Sequence, residues 1–273
     1  EMQCHYCGNT IPSPRKCPYC GSYSFAYGAP GTQKIEQNLK ILFPEAKILR
    51  MDSDSARKRD TYKSMYNRMK NKEVDILLGT QMISKGLDFP LVTLVGIVMA
   101  DISLNLPDFR AAERTFQLLT QVAGRSGRRD KAGEVIIQTY NPQHYAIESA
   151  SQQNYIRFAT EELGYRKKLY YPPYYRLARI LFQSTDLETL KKEMSNMREV
   201  LYFLRKQFPM PQLLLLGPSV APFSKISSYY RYHLIFKAQT VKILQNAIRL
   251  FNSLYNCPSN IRKQIDIDPN TLM

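Results

Sequence analysis

Hydrophobic residues in the first half of the chain fall into short continuous runs, separated by segments in which they recur at helical spacing. The runs predict buried strands at Ala46–Met51, Val74–Leu78, Leu91–Met99 and Gly133–Tyr140. The segments between them predict helices that begin near Gly31 and extend over Ser55–Lys72 and Phe109–Val122. Because strands and helices alternate, this half is expected to fold as an α/β domain with a parallel sheet and helices on both faces.

The pattern changes near Tyr171-Pro172-Pro173-Tyr174, where paired prolines predict a domain junction after a helical, aromatic linker. The tyrosines are expected to pack at this junction, and stacking on nucleic-acid bases is the alternative. Beyond the junction, strands and helices are predicted in the order β-α-β-β-α-β, the ferredoxin-like α+β arrangement. The predicted segments are Arg176–Ser184, Leu187–Gln207, Leu213–Gly217, Tyr229–Lys237, Val241–Leu254 and Arg262–Ile267.

Composition narrows the class of partner. Lys and Arg number 38 against 23 Asp and Glu, a formal net charge of +15 that is spread along the chain. A charge of this size favours nucleic acid or an anionic membrane surface as the partner. However, no apolar run approaches the roughly 20 residues of a membrane-spanning helix, and no signal peptide is visible. A soluble, cytoplasmic protein is therefore expected, with no membrane partner.

Most of the cysteines lie near the start of the chain in two closely spaced pairs, Cys4-x2-Cys7 and Cys17-x2-Cys20. Each pair can present two thiolates to one ion, and the glycine that follows each pair permits the tight turn this requires. Sulfur ligands without histidine partners favour zinc over calcium or magnesium. The sequence therefore predicts zinc bound by these four cysteines, and redox-active or merely buried pairs are the less favoured alternative. Cys257 stands alone and is expected to be a small buried residue.

Two loops are candidates for ligand contact. The strand at Val74–Leu78 ends in Gly79-Thr80, and polar residues at the carboxyl ends of buried strands are where open α/β sheets bind ligands. The octamer Gln121–Arg128 follows a predicted helix and places Arg125 and Arg128 three residues apart, each close behind a glycine. Guanidinium groups suit multidentate contact with phosphate oxygens, and the glycines allow a close approach. A basic turn without a ligand is the alternative that these residues leave open.

Together the two loops are similar to motifs V and VI of superfamily-two helicases. The matching residues are Thr80-x4-Lys85-Gly86-x-Asp88 and Gln121-x2-Gly124-Arg125-x-Gly127-Arg128. With Asp101–Arg110 and the segment Asp266–Pro269, the chain resembles throughout its length the PriA family of bacterial primosomal replication-restart helicases. That resemblance implies part of an ATP-dependent DNA helicase that recognises stalled or branched forks and restarts DNA replication by primosome assembly.

The resemblance also implies roles for single residues. Arg125 and Arg128 would face the γ-phosphate of ATP, with Arg128 as the arginine finger, and Gln121 would bridge nucleotide and lobe. The remaining nucleotide-binding positions are Gly86, Asp88 and Gly124. The positions implied to track the DNA backbone are Thr80 and Lys85.

In this family the carboxyl-terminal domain is associated with DNA binding, and the stretch from Gly217-Pro218 to Tyr230-Arg231-Tyr232 resembles its signature. Lys225 and Arg231 are implied to contact phosphate. Tyr232 stands where many members carry tryptophan, so its stacking surface is weaker or altered. Lys237 is expected to be a solvated strand end.

The family binds two zinc ions with four interleaved cysteine pairs. The two pairs of this chain resemble the third and fourth, which serve different ions, whereas local spacing would close one site. One or two zinc sites therefore remain alternatives.

The sequence lacks the Gly-x4-Gly-Lys-Ser/Thr loop and the Asp-Glu-x-His carboxylates with which a first motor lobe holds phosphates and magnesium. The chain is thus expected to carry half of an active site and to be inactive alone, with ATP and magnesium bound by the complete protein. The implied partners are branched and single-stranded DNA, a first helicase lobe, single-stranded DNA-binding protein and other primosome proteins, in a nucleoid-associated setting.

The predicted division of the chain has four segments. They are a zinc-binding segment at 1–26, a second RecA-like helicase lobe at 27–145, a helical linker at 146–175 and a DNA-binding domain at 176–273. A zinc-containing nucleic-acid-binding adaptor without motor activity is the second hypothesis. It leaves Gln121 and the spacing of Arg125 and Arg128 unexplained.

Overall fold

The computed structural model describes residues 2–3, 10–11, 16, 31–51, 59–80, 92–124 and 133–273. The chain divides into two compact units. The carboxyl-terminal unit contains Glu1–Tyr23, Pro107–Arg110 and Glu161–Met273, and the lobe unit contains Ser24–Leu106 and Ala111–Thr160. Each unit therefore combines segments that are distant along the chain.

Most of the described residues lie in strands or helices. In chain order the strands are β1 (Met2–Gln3), β2 (Thr10–Ile11), β3 (Ile48–Met51), β4 (Ile76–Gly79), β5 (Leu94–Ile97), β6 (Glu134–Ile137), β7 (Arg176–Ser184), β8 (Leu213–Ile226), β9 (Tyr229–Ala238) and β10 (Arg262–Ile267). The helices are α1 (Thr32–Leu42), α2 (Arg59–Lys70), α3 (Asp101–Leu104), α4 (Ala111–Ala123), α5 (Tyr145–Ser151), α6 (Tyr155–Lys168), α7 (Leu187–Asn196), α8 (Arg198–Gln207) and α9 (Val241–Leu254).

Strands of the lobe unit pair in parallel, as the alternation of strands and helices predicts. β3 pairs with β4, with Ile48 opposite Ile76, and β5 pairs with β6, with Leu94 opposite Glu134. Parallel strands need a connection that crosses back over the sheet, and helix α2 lies in the connection between β3 and β4. The strands are present where the sequence predicts them, although each is only four residues long.

The carboxyl-terminal unit contains an antiparallel sheet with the strand order β10-β7-β9-β8. The predicted order of strands and helices, β-α-β-β-α-β, is confirmed, and α9 and β10 have the predicted bounds. Two details differ. The single helix predicted over Leu187–Gln207 is divided into α7 and α8 at Met197, and β8 continues past Gly217 to Ile226.

The continuation of β8 depends on a local irregularity. The register with β9 shifts between Leu216 and Ser219, where the strand bulges at Gly217-Pro218, and it shifts again between Val220 and Lys225 before β8 ends. Gly217 has a φ of 97°, and a Cβ at this position would lie 2.7 Å from the carbonyl oxygen of His233. A glycine is therefore required here.

One face of this sheet packs on helices α7, α8 and α9. The buried side chains there include Phe182, Phe236 and Phe251, none of which is exposed to solvent. The rings of Phe236 and Phe251 meet edge to face with 5.8 Å between centroids, a favoured aromatic geometry. Helix α9 is capped by Thr240, whose hydroxyl accepts a hydrogen bond from the amide of Ile243 at 3.2 Å. Side-chain capping and an apolar stripe thus account for this helix.

The opposite face of the sheet carries basic residues that are also buried. Alternate residues of β9 point to this face, and among them Arg231, His233 and Lys237 are all at most 9% exposed. The expectation that Lys237 is a solvated strand end is wrong. Its ammonium group donates a hydrogen bond to the carbonyl oxygen of Leu169 at 2.9 Å and lies 3.3 Å from the centre of the Tyr171 ring. Burial lowers the pKa of Lys237 to about 8.

Candidate nucleotide and nucleic-acid sites

The first predicted contact loop begins where β4 ends. β4 runs to Gly79, and Thr80 follows it as an exposed residue. The carboxyl end of a parallel strand is the expected position for a residue that contacts ligand. The other predicted residues of this loop, Lys85, Gly86 and Asp88, lie outside the described residues, so their assigned roles stay predictions.

The second loop follows α4, and the packing of this helix accounts for its position. Its buried face consists of Ala111, Thr115, Phe116 and Leu119. The ring of Phe116 stacks on that of Phe158 with a centroid distance of 4.1 Å. These contacts hold the helix in the core of the lobe unit, beside Ala146, Ile147 and Ala150 of α5.

Gln121 and Gly124 lie at the carboxyl end of α4, and both are exposed. The amide of Gly124 still donates a helical hydrogen bond to the carbonyl oxygen of Thr120 at 3.1 Å, so Gly124 belongs to the hydrogen-bonded end of the helix. Arg125 comes directly after Gly124 and Arg128 three residues later, and both lie outside the described residues. The structure thus places the start of the octamer on a packed helix and leaves the roles of its arginines as predictions.

Asp101 is a second polar residue at the end of a predicted strand, and it has a structural role. Its carboxylate accepts hydrogen bonds from the Thr139 hydroxyl at 2.8 Å and from the Tyr140 amide at 3.0 Å. Burial opposes ionisation of this carboxyl, but those hydrogen bonds outweigh burial and lower the pKa of Asp101. Because Asp101 follows β5 and Thr139 follows β6, the carboxylate ties together the ends of two paired strands.

The predicted DNA-binding residues of the carboxyl-terminal unit lie in three different environments. Lys225 is exposed at the end of β8, with its ammonium group 4.6 Å from the centre of the Tyr230 ring. Tyr232 faces the helices and lines a cavity of about 740 Å³. Arg231 is only 6% exposed and donates a hydrogen bond to the carbonyl oxygen of Phe223 at 3.3 Å. Burial, together with the charge of Arg179, lowers the pKa of Arg231. A guanidinium in this position offers little surface to a phosphate.

Sequence reasoning missed other residues that line the cavity beside Tyr232. Lys191, Arg198 and Arg205 lie on its helical wall, and all of them are exposed. Their seven-residue spacing is visible in the sequence, since residues two helical turns apart lie on the same face. This spacing could have identified a basic face on the helix in addition to its packing face.

Of the two tyrosines at the predicted junction, Tyr171 packs as expected, whereas Tyr174 is 40% exposed. The ring of Tyr171 stacks on that of Phe109 with 5.1 Å between centroids and 5° between planes. Within the same unit, the carboxylate of Asp108 accepts hydrogen bonds from the amide of Leu272 at 3.3 Å and from the hydroxyl of Thr271. Because the faces of Tyr171 contact Phe109 and Lys237, stacking of this ring on bases is not favoured.

The predicted metal ligands Cys4, Cys7, Cys17 and Cys20 lie outside the described residues, so the structure does not test the zinc prediction. The short strands that flank the first pair are described. β1 and β2 are antiparallel, with Gln3 opposite Thr10. The chain direction therefore reverses between Gln3 and Thr10.

Two known protein families match two different parts of the chain. The family described as "Helicase conserved C-terminal domain" matches residues 27–130, and the family described as "Primosomal protein N C-terminal domain" matches residues 167–270. The chain is therefore a helicase carboxyl-terminal lobe joined to a primosomal carboxyl-terminal domain, in a mixed α/β fold.

Whole-chain relatives define the family more closely. The chain is 38% identical to the replication restart protein PriA of Bacillus subtilis over 100% of its own length and 34% of that protein. It is 39% identical to the PriA of Treponema pallidum, covering 98% of this chain and 40% of that one. It is 38% identical to the PriA of Borreliella burgdorferi, covering 100% of this chain and 40% of that one. The chain belongs to the PriA family of replication restart proteins and represents a carboxyl-terminal part of them.

The chain thus spans between about a third and two fifths of the length of these relatives. Among the residues that the structure describes, no helix has both the length and the apolar character needed to cross a membrane.

Proposed function

We propose that this chain is the carboxyl-terminal part of an ATP-dependent DNA helicase that recognises stalled or branched replication forks and restarts DNA replication. The observation that supports this most strongly is the similarity to PriA proteins over the whole chain. The placement of the described motif residues agrees with it, because Thr80 follows a parallel strand and Gln121 lies in the last turn of a packed helix. In this proposal residues 27–145 form the second RecA-like lobe, and residues 176–273 form a ferredoxin-like DNA-binding domain.

The catalytic role of the lobe is to supply arginines to a nucleotide held by the first lobe. Arg128 acts as the arginine finger, Arg125 assists it, and Gln121 bridges nucleotide and lobe. Gly86, Asp88 and Gly124 complete the contacts to the nucleotide. Helix α4 is suited to position these groups, since its buried face fixes it in the core up to Leu119. ATP and magnesium belong to the complete protein.

The DNA-binding role rests on charge and on exposed positions. The net charge of +15 suits branched and single-stranded DNA as partners. Thr80 and Lys85 track the backbone from the lobe, and Lys225 and Tyr232 contribute from the carboxyl-terminal domain. Arg231 is the weakest of the assigned DNA contacts, because its guanidinium is buried. The first helicase lobe, single-stranded DNA-binding protein and other primosome proteins are further proposed partners.

The zinc role is structural. Four thiolates suit zinc, and the antiparallel strands β1 and β2 bracket the first pair. Zinc held by Cys4, Cys7, Cys17 and Cys20 would fix a segment that has few aliphatic residues of its own. Metal analysis of protein purified without chelators tests this, and one or two equivalents distinguish a local site from an interleaved arrangement. A fully folded, metal-free protein would contradict the zinc role.

The decisive experiment joins this chain to the first lobe of a PriA protein and measures DNA-stimulated ATP hydrolysis. Arg128→Ala should lower turnover by about 10³–10⁵, the range for arginine fingers in other nucleotide hydrolases. Arg128→Lys should restore little, because an ammonium group cannot reproduce the planar guanidinium. Arg249→Ala is a matched control, since Arg249 is an exposed arginine on α9, far along the chain from either motif. It should leave turnover unchanged.

Two further measurements separate the motor from the adaptor hypothesis. The chain alone should not hydrolyse ATP, since its sequence has no phosphate-binding loop. Binding of forked DNA should be unaffected by Arg128→Ala. Full ATPase activity of the Arg128→Ala protein would refute the assigned arginine finger. DNA binding by a joined protein that never hydrolyses ATP would favour the adaptor.

A further inference from the structure

Helices α7 and α8 carry a stripe of polar residues beside their buried face. The buried face is made of Leu190, Met194, Met197, Leu201 and Leu204, which are at most 5% exposed. One position further along at each turn are the exposed residues Lys191, Ser195, Arg198, Tyr202 and Arg205. Met197 keeps helical backbone angles between α7 and α8, so the 3.6-residue repeat continues across the break. The five exposed residues therefore form one continuous row.

This row forms one wall of a cavity of about 740 Å³, and the opposite wall is made by Gly217, Pro218 and Tyr232. The opposite wall takes its shape from the bulge in β8, where a φ of 97° and the short approach to His233 require glycine. Small-molecule pockets measure about 300–1,000 Å³, so a few nucleotides of one DNA strand would fill this cavity, and a double helix would not enter it.

The charge of the cavity is positive. Lys191, Arg198 and Arg205 line it, and its lining contains no Asp or Glu. The charge of Lys191 is partly compensated by Glu188 at 2.8 Å, and Arg205 makes a long hydrogen bond of 3.5 Å to the carbonyl oxygen of Leu215. Arg198 forms no ion pair with any residue that the structure describes. The guanidinium groups are thus available to an anion from solution.

The spacing of the cations indicates the kind of anion. Lys191 and Arg205 are 14 positions apart, which corresponds to about 21 Å along a helix at 1.5 Å per residue. Side chains so far apart cannot converge on one phosphate ion, so a linear polyanion fits better. Aromatic rings lie between and opposite the cations: Tyr202 is 61% exposed on the helical wall, and Tyr232 is on the other wall. Alternating cations and aromatic rings are typical of surfaces that bind single-stranded nucleic acid.

We propose that this groove, between the α7–α8 stripe and the β8 bulge, binds a segment of single-stranded DNA. Arg198 and Arg205 contact successive phosphates, and the rings of Tyr202 and Tyr232 stack on bases. The choice of DNA over other polyanions rests on the proposed function. The position of the site rests on the cavity, the stripe and the charge.

The test is the affinity of the chain for a fluorescent oligothymidine, measured by anisotropy at several salt concentrations. Arg198→Gln with Arg205→Gln should weaken binding at least about tenfold and lower the slope of log affinity against log salt by about 1.4, since each phosphate contact on a single strand contributes about 0.7. Tyr202→Leu should weaken binding about tenfold, within the stacking range of about 1–3 kcal/mol, and leave the slope unchanged.

Two control variants separate an effect of these particular residues from an effect of net charge. Lys242→Gln with Arg249→Gln removes the same charge from exposed positions on α9 and should change the affinity less than about twofold. Replacing Arg198 and Arg205 by lysine keeps the charge and should preserve the salt slope. All the substituted residues are exposed, and circular dichroism checks that each variant is folded.

Each possible result either supports or overturns the assignment of the groove as a site for single-stranded DNA. If the wild type binds oligothymidine and the stripe variants bind equally well, the groove is not the site, and the proposed function is unaffected. If the wild type binds no DNA even at low salt, the proposed function itself fails. If polyglutamate competes as well as oligothymidine, or if millimolar phosphate displaces the oligonucleotide, the groove is an acidic-peptide site or a simple phosphate site, and the inference is overturned.

Discussion

The buried amine of Lys237 should make the stability of the carboxyl-terminal unit depend on pH in the alkaline range. The ammonium group contacts the Leu169 carbonyl oxygen at 2.9 Å and the Tyr171 ring at 3.3 Å, with only 3% of the residue exposed. Burial lowers the pKa from its ordinary value of 10.5 to about 8. The perturbation we consider is Lys237→Met, which keeps the length of the side chain and removes the amine.

The sign and size of this pH dependence follow from the difference in proton binding between the folded and the unfolded chain. Below pH 8 the lysine is protonated in both the folded and the unfolded chain. Between about pH 8 and 10.5 the unfolded chain holds this proton and the folded chain does not, so the free energy of unfolding rises with pH. At about 1.4 kcal/mol for each pKa unit, the gain is about 3 kcal/mol across this window. That contribution is lost as the pH falls back through 8.

Lys237→Met should lack this gain. The difference in unfolding free energy between wild type and variant should therefore change by about 3 kcal/mol between pH 7 and pH 10.5. At pH 7 itself the two should differ by less than about 2 kcal/mol. Lys237→Met removes the cost of burying a charge. It also loses a charged hydrogen bond, which contributes about 1.5–3 kcal/mol, and a cation–π contact, which contributes about 2 kcal/mol, so the two effects largely cancel.

Urea unfolding followed by far-ultraviolet circular dichroism measures this, since the chain has no tryptophan to follow. Dilute protein is needed because the isoelectric point, about 9.6, lies in the window. Burial, together with the charge of Asp108, raises the pKa of Tyr171, so this phenol keeps its proton to a higher pH than an ordinary tyrosine. Parallel stability curves for wild type and Lys237→Met from pH 7 to 10.5 would show that the pKa of Lys237 is not lowered in the folded protein.

Three other perturbations test the fold of this unit. Gly217→Ala should destabilise the unit by roughly 2 kcal/mol or more, because a Cβ would lie 2.7 Å from a backbone oxygen. Gly164→Ala in α6, where a Cβ meets nothing within 4 Å, should instead stabilise the unit by about 0.5–1 kcal/mol. Similar melting curves for the two variants would contradict this prediction. Burial, followed by the charges of Arg179 and Arg231, lowers the pKa of His233. The wild type should therefore lose stability relative to His233→Gln as the pH falls from 7 to 5. A constant difference between their urea midpoints over this range would contradict the prediction. Phe251→Ala should cost about 3–5 kcal/mol in urea unfolding, and a loss below about 1 kcal/mol would show that the ring is not in a packed core.

Much of the architecture follows from local patterns in the sequence. The 3.6-residue spacing of apolar positions located α4 and α9, and short apolar runs located the strands of both units. These patterns succeed because the identity of an element depends on residues that are close along the chain. Adjacency likewise made the motif residues recognisable, since Thr80 directly follows a strand and Gln121 lies in the last turn of a helix, whatever the fold of the rest of the chain.

Local pattern was less informative about the exact extent of elements. A proline after a glycine is a reasonable place to end a strand, but the bulge at Gly217-Pro218 lets β8 continue past this point, and a second register shift precedes its end at Ile226. That outcome depends on pairing with β9, and β9 lies further along the chain. The division of the long helix at Met197 was also not predicted.

The exposure of charged residues was decided by tertiary structure alone. In β9, alternation places Arg231, His233 and Lys237 on one face, and the polar face of an antiparallel strand is ordinarily solvated. Here that face is covered, because Leu169 and Tyr171 meet Lys237 across a sequence separation that no local pattern reports. The same distinction applies to the DNA-binding assignments. Sequence determined which residues can bind an anion, but the folding of distant segments buried Arg231 and placed Arg198 opposite Tyr232, on the wall of an open groove.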